Sequence, residues 1–263
     1  MKAFYKSDFP MYDQLTDLTQ QLPPMSETID QMGEASIFRF FKPRRIVEFG
    51  AATGNWCILM NAMSEGYVEQ HYTLVEDFSW HNNGFESNKI HAVNHNFPKN
   101  KTELAQHVTN HIKSFDIIDT SVDQFITTDL EEKVDLIRID CDVSNWNTLL
   151  EWIDRNGSDR LIILSDDIKS TVAPHRMLII QQLVAQGKMR LMWIGEDTAA
   201  WCRPNMLYES HRWFTYVYSL KESKLMNIHE RRLTLYGHMQ DFLHTSRNDV
   251  YHIVTFPEEH NEE

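Results

Sequence analysis

Cysteine is scarce in this chain, and the three that occur, Cys57, Cys141 and Cys202, stand far apart with no C-x-x-C pair among them. That spacing excludes a zinc ribbon and offers no disulfide framework. It suits a reducing compartment, so a cytoplasmic location is expected. Long apolar runs are missing as well. No stretch approaches the roughly 20 residues that cross a bilayer, and Met1–Asp8 has no apolar core of the signal-peptide kind. Basic residues are outnumbered, 25 Lys and Arg against 38 Asp and Glu, for a formal charge of −13. A field of that sign disfavours non-specific contact with nucleic acid or an anionic membrane, and neither is expected as a partner. No G-x-S-x-G elbow supports a serine hydrolase. His91 and His95, and His107 and His111, are spaced i, i+4 but have no H-E-x-x-H and sit among Asn, Thr and Lys. They read as solvated helix faces rather than zinc ligands. There is no internal repeat.

What is present centres on Arg45–Trp56. A short apolar strand, Ile46 to Phe49, enters a turn of small residues, Gly50-Ala51-Ala52-Thr53-Gly54, and an apolar-periodic helix follows from about Asn55 to Ser64. Glycine at Gly50 and Gly54 lets the backbone bend sharply and come close to a ligand. The helix that starts at Asn55 directs unpaired N–H groups at the same place. Glu48, just before the turn, adds a carboxylate. The spacing Gly-x-x-x-Gly is neither the G-x-G-x-x-G of a dinucleotide fold nor a phosphate-binding P-loop, which disfavours a nicotinamide dehydrogenase.

From Arg45 onward, apolar strands alternate with helical segments. Strands are predicted at Tyr72–Asp77, Phe115–Asp119, Val134–Asp140 and Leu161–Asp167. Helices are predicted at 122–126, 146–153 and 174–186, and Met189–Ile194 and Thr198–Cys202 pair as a closing hairpin. This pattern predicts an α/β fold, a Rossmann-like, doubly wound, mainly parallel sheet of seven strands. Residues 1–44 form a helical lead-in, with short helices at 12–18 and from about Ser26 to Phe41. Residues 45–204 form the sheet domain. Residues 205–263 form a mixed, mostly helical extension whose aromatics Trp213, Phe214, Tyr216 and Tyr218 are read as core in preference to an oligomer surface, with a terminal strand at 251–254. The lead-in helices either cover a sheet edge or line an entrance over the glycine turn.

Ligands of open parallel sheets bind beyond the carboxyl ends of the strands, and there acids collect: Glu48, Glu76, Asp119, Asp140 with Asp142, and Asp166 with Asp167. Glu76 is placed to accept both hydroxyls of a ribose. Asp140, Asp166 and Asp167 end two neighbouring strands, and carboxylates that close repel one another unless a cation lies between them. A hard divalent ion, Mg²⁺ rather than zinc, is the expected occupant, since no Cys or His is grouped with them. Arg138 shares a face with Asp140 by the period of two and needs an acidic partner if buried.

These residues resemble a known family. Val47-Glu48-Phe49-Gly50-Ala51-Ala52-Thr53-Gly54 resembles motif I of the class I S-adenosylmethionine-dependent methyltransferases, and Glu76 matches the acid ending their second strand. Leu136-Ile137-Arg138-Ile139-Asp140-Cys141-Asp142, followed by Leu164-Ser165-Asp166-Asp167, resembles the macrocin-type (TylF-like) sugar O-methyltransferases. The first loop is also similar to that of the FkbM-like enzymes. The resemblance spans about residues 36–202. It implies that Glu48, Gly50, Gly54, Asn55 and Glu76 bind S-adenosylmethionine, with Asp119, Thr120 and Ser121 near its adenine or ribose. It further implies that Asp140, Asp166 and Asp167 hold Mg²⁺ and that Asp142 is a general base. Cys141 departs from the glycine usual between the two aspartates, and Asn156–Arg160 replaces a Pro-Gly-Gly turn.

The expected activity is O-methyl transfer to a hydroxyl of a small molecule, a sugar or similar acceptor, with Asp142 or His175 taking the proton. A homo-oligomer is admitted. The rival reading is a non-catalytic member of the fold that serves as a binding or assembly subunit.

Overall fold

The computed structural model describes residues 22, 28–64, 69–79, 97–168, 175–195, 197–219 and 252–253. The expected helix at 12–18 and the pair His91 and His95 lie outside the described residues. Strand β1 (Arg45–Phe49) leads through the glycine turn into helix α2 (Asn55–Met63), and helix α1 (Thr28–Phe41) precedes it. Next come β2 (His71–Glu76), α3 (Lys101–Thr109), β3 (Phe115–Asp119), α4 (Val122–Phe125) and β4 (Val134–Ile139). They are followed by α5 (Trp146–Asn156), β5 (Gly157–Ser165), α6 (His175–Ala185), β6 (Arg190–Ile194) and β7 (Ala199–Cys202). A 3₁₀ turn at Pro204–Met206, α7 (Leu207–Ser219) and a two-residue β8 (His252–Ile253) complete the described chain.

The sheet order is β3-β2-β1-β4-β5-β7-β6-β8. Strands β1 to β5 pair in parallel, while β7 lies antiparallel between β5 and β6. The chain winds outward from β1 through β2 to β3, then returns to place β4 on the other side of β1. That reversal opens a crevice at the carboxyl ends of β1 and β4, the place where open α/β sheets bind ligands. This is the Rossmann-like architecture expected from the alternation of strands and helices. One difference is an eighth strand: Trp193 and Ile194 pair with His252 and Ile253, at the position of the expected terminal strand. Another is that β5 starts at Gly157, directly after α5, where a longer turn was expected. The β4–β5 register shifts between Val134 and Leu136 to absorb the early start.

The period of two sorts the strands into two cores. Ile46, Tyr72, Leu74, Leu136, Ile162 and Leu164 face one side and pack with α1, α2 and α3 through Phe38, Trp56, Leu59 and Leu104. Val47, Phe49, Val75, Ile137, Ile139 and Ile163 face the other, against Phe125, Leu149, Trp152 and Leu183. Glu48, Arg138, Asp140 and Asp166 fall in the same phase as the first set, so four charged groups enter the α1–α2 side of the sheet near its carboxyl edge.

Several contacts hold helix α1 to that side. Gly33 packs so closely on Trp193 that a Cβ there would lie 2.2 Å from the indole. Asp30 accepts the backbone N–H of Asp197 at 2.7 Å. Ser36 accepts Trp213 Nε1–H at 3.0 Å from α7, and Trp213 is fully buried, as a core reading of that aromatic requires. The side chains of Phe214, Tyr216 and Tyr218 are outside the described set. No helix among the described residues is long and apolar enough to cross a membrane.

Candidate functional site

The glycine turn is built on left-handed backbone. Gly50 has φ +83 and Gly54 φ +76, and Ala52 between them is also positive at φ 48. A Cβ at Gly50 would lie 2.4 Å from the Asp140 carbonyl oxygen, and one at Gly54 would lie 2.9 Å from Leu104 Cδ1. These glycines are therefore demanded by dihedral angle and by the approach of β4 and α3 to the loop, before any ligand is considered. Gly54 is the residue before the first turn of α2 and makes no side-chain cap.

Glu76, at the end of β2, braces the same loop. Its Oε2 accepts the N–H of Ala52 at 2.7 Å and its Oε1 that of Phe78 at 3.1 Å. Burial raises its carboxyl above the ordinary range, opposed by those two amide bonds. Each oxygen retains a lone pair for a hydroxyl donor. Asp119 lies beside Glu76 in register on β3 and is exposed. The Thr120 hydroxyl donates to Gln124 Oε1 at 2.9 Å, and Ser121 Oγ accepts Gln124 N–H at 3.3 Å, so both are engaged in starting α4.

A narrow cleft opens over the turn, lined by Glu48, Gly50, Ala51, Ala52, Thr53, Asn55, Trp56, Leu59, Arg138 and Asp140, with Gln31 contributed by α1. The structure thus brings together five of the residues singled out from sequence, Glu48, Gly50, Asn55, Arg138 and Asp140, and adds a wall from the lead-in helix. Asn55 Oδ1 is 2.7 Å from His107 Nε2 on α3. This corrects the reading of His107 as part of a solvated face: it is half-buried, and burial followed by the neighbouring His111 lowers its pKa, so the neutral ring donates to Asn55.

Arg138 is the electrostatic centre of the site. Its side chain is 4% exposed, and Nη1 lies 3.2 Å from Glu48 Oε1 and 2.8 Å from Asp140 Oδ2, while Nη2 lies 2.7 Å from Asp166 Oδ2. Glu34 of α1 sits behind it: Oε1 is 4.0 Å from Arg138 Nε, and Oε2 accepts Trp56 Nε1–H at 2.8 Å. The Trp56 ring also lies 4.9 Å from the guanidinium carbon, a cation–π contact. Four carboxyl groups share one cation here. Burial is the main cause that pushes Glu48 up to about 8 and Asp140 to about 7, with Arg138 opposing in both cases. Glu34 is raised well above the ordinary range, also chiefly by burial.

A second arginine, Arg176 on α6, stands among the remaining acids. Its side chain is 3% exposed, and it reaches Asp167 Oδ2 at 3.3 Å, Asp142 Oδ1 at 3.6 Å and the Asp166 carbonyl at 3.1 Å. Asp167 holds a left-handed φ of 60, an uncommon conformation for a residue with a side chain, and burial together with Asp166 raises its carboxyl. Asp142 is largely exposed. His175 is the first residue of α6, and its side chain is outside the described set. Sequence reasoning missed Arg176 and Glu34. An acid inside the apolar face of α1, between Gln31 and Phe38, was the available signal for Glu34.

The sequence-based expectation of Mg²⁺ at Asp140, Asp166 and Asp167 meets this charge arrangement. Asp140 and Asp166 each give an oxygen to Arg138. The other Asp166 oxygen accepts the Asp167 N–H at 3.0 Å and the Thr198 hydroxyl at 3.1 Å. Among the described residues, no group of three or more His, Cys, Asp or Glu side chains is placed to hold a metal ion. The cation that such neighbouring aspartates require is provided by two guanidinium groups, and the donor set in this arrangement does not fit a divalent ion.

No protein-family model matches the chain, and no curated protein sequence matches it significantly. Solved structures of similar shape include an O-methyltransferase from Bacillus cereus in complex with S-adenosylhomocysteine, at 15% identity and a TM-score of 0.49, covering 77% of this chain and 98% of that one. Another is a putative caffeoyl-CoA O-methyltransferase from Staphylococcus aureus, at 14% identity and a TM-score of 0.47, covering 73% and 91%. A third is a TDP-rhamnose 3′-O-methyltransferase of calicheamicin biosynthesis, at 16% identity and a TM-score of 0.46, covering 74% and 93%. At these identities and scores the comparison lends no weight to a functional argument, which has to come from the site itself.

Proposed function

We propose that the chain is an S-adenosylmethionine-dependent O-methyltransferase acting on a hydroxyl group of a small molecule. The observation that supports this reading best is the joint placement of the left-handed glycine turn, the Glu76 brace and the acid-lined cleft at the switch point between β1 and β4. The donor set suits the cofactor: a loop of small residues for close approach, a carboxylate at the end of β2 for ribose hydroxyls, and buried acids for a cation. Asp119, Thr120 and Ser121 extend the same edge toward the base. When bound, S-adenosylmethionine supplies a methyl group already activated on a positive sulfonium.

The residues then have mainly to bind, orient and accept a proton. Ala52 N–H, fixed by Glu76, keeps the loop in one shape. Asn55, fixed by His107, presents its amide at the N-terminus of α2. The bound cofactor would supply its methyl group to the acceptor oxygen and be left as a neutral thioether, and the acceptor's proton would pass to a base. Asp142, which follows β4, and His175, the first residue of α6, are assigned that last role in this reading. No step is routed through Mg²⁺, because the two arginines already compensate the aspartates.

Isothermal titration calorimetry tests the proposal. S-adenosylmethionine is expected to bind at a single site, and Glu76→Ala to weaken it by about tenfold or more, the equivalent of one buried charged hydrogen bond. MgCl₂ alone is expected to give no heat that Asp166→Ala removes; such a heat would restore the metal. Failure of the wild-type chain to bind S-adenosylmethionine would refute the enzyme reading and favour a binding or assembly subunit.

A further inference from the structure

We propose that Arg176 occupies a divalent-cation position at the carboxyl ends of β4 and β5, and that removing its side chain opens that position to a hard divalent ion. The position is formed by three oxygens that converge on one guanidinium. Asp167 Oδ2 lies 3.3 Å from Nη1, Asp142 Oδ1 lies 3.6 Å from Nη2, and the Asp166 carbonyl accepts Nη1–H at 3.1 Å. Two carboxylates and a backbone carbonyl, completed by waters, are ligand types of Ca²⁺ and Mg²⁺. This set differs from the three aspartate side chains expected from sequence. It uses Asp142 and the Asp166 backbone, and it leaves the side chains of Asp140 and Asp166 to Arg138.

Burial separates this arrangement from an ordinary surface ion pair. The Arg176 side chain is 3% exposed, whereas those of Asp142 and Asp167 are 84% and 40% exposed. A surface pair keeps both partners in water; here α6 drives the cation beneath acids that themselves reach solvent. Hydrogen bonding on the other side of the guanidinium does not account for its burial, since Arg176 Nε is buried with no hydrogen-bond partner. The group is held by the acid edge through its two terminal nitrogens. The unsatisfied donor is a cost that the acids offset.

Charge and reach set what replaces the guanidinium when it is gone. Asp142 and Asp167 carry two negative charges against its single positive one, so a divalent ion matches the pair more fully. Among the described residues Arg176 is the only ion-pair partner of either acid, and truncating it leaves both without a cation. A guanidinium spreads its contacts more widely than a hard ion, whose bonds are about 2.0–2.6 Å. With Arg176 in place, no acid cluster among the described residues is positioned to hold a metal. Asp142, largely exposed, has room to turn inward once the side chain is removed. The chain thereby keeps this edge compensated without a metal supply and at every working pH, since arginine does not lose its proton.

Thermal melting of the whole chain tests this, in CaCl₂ or MgCl₂ at about 10 mM against NaCl of the same ionic strength. Wild type is expected to show no rise with either divalent salt. Arg176→Ala is expected to melt lower than wild type in NaCl and to rise by about 3 °C in at least one divalent salt, the shift for a millimolar site in a chain of this size. Adding Asp167→Asn to that variant is expected to abolish the rise, which a general effect of divalent salt on an acidic protein would leave in place. A divalent-specific rise in wild type, its absence in Arg176→Ala, or its survival after Asp167→Asn would overturn the inference. Should Arg176→Ala not fold in NaCl, recovery of a cooperative melt in CaCl₂ or MgCl₂ supports the position, and no recovery in either overturns it. None of these measurements uses S-adenosylmethionine, so the cofactor reading stands or falls separately.

Discussion

Replacing Arg138 by Met removes the guanidinium but keeps a long unbranched stem in the same space. The side chain it removes is almost wholly buried and lies within 2.7–3.2 Å of Glu48, Asp140 and Asp166, with Glu34 at 4.0 Å. Deleting one partner of a buried ion pair costs about 3–5 kcal/mol, because the remaining charge is left without compensation. The carboxyl groups have a partial escape, since they can take up protons. In the wild type, Glu48 and Asp140 already have native values near 8 and 7, above their ordinary 4.5 and 3.8. An acid raised in the native state holds a proton that the unfolded chain has lost. Stability is therefore gained below the native value and declines as pH rises through the window between the two, by at most about 1.4 kcal/mol per pH unit for each group. Without Arg138 these acids rise further, so the deficit of Arg138→Met should be nearly constant up to about pH 6 and widen only above about pH 7, where the wild-type acids ionise and those of the variant do not. Urea unfolding followed by tryptophan fluorescence, with Trp56 against the cluster, reads this directly. A loss below about 1 kcal/mol at the alkaline end, or a loss independent of pH, would refute the description of Arg138 as the main counter-ion shared by these four carboxyl groups.

Two further outcomes follow from backbone and packing. Gly50→Ala should destabilise the chain by at least the roughly 1–2 kcal/mol of a left-handed alanine, and by more because its Cβ meets the Asp140 carbonyl at 2.4 Å; thermal melting checks it, and an unchanged midpoint would argue against the turn described. Gly33→Ala should cost about 1–3 kcal/mol through overpacking against Trp193. Since α1 contributes Gln31 to the cleft, that variant should also weaken S-adenosylmethionine, and full affinity in a destabilised variant would separate α1 from the site.

The strands could be read from sequence because each is an apolar run of ordinary length between polar turns. β1, β3 and β4 fell within one residue of their expected ends, and so did the β6–β7 hairpin. The acids were legible for a similar reason: strand ends in a parallel sheet share one edge, so Glu48, Glu76, Asp140 and Asp166 had to gather there whatever the side chains did next. The pairing of charges was not legible. Arg138 was expected to need an acid, but nothing in its neighbours along the chain says that it takes four, or that Glu34 arrives from a helix about a hundred residues earlier. Nor does spacing along the chain show that Arg176, on α6, reaches Asp142 and Asp167.

The sequence alone therefore determined the order and type of the elements, the left-handed turn and the edge where the acids collect, because these depend on local periodicity, on glycine and on the rule that parallel strands end together. Only the tertiary structure decided what neutralises those acids, which oxygen of Glu48 is buried without a hydrogen-bond partner, and that His107 steadies Asn55. Those outcomes depend on distances of about three ångströms between residues far apart in the chain, set by how α1, α3 and α6 dock on the sheet, and a charge has no periodicity by which its partner can be read.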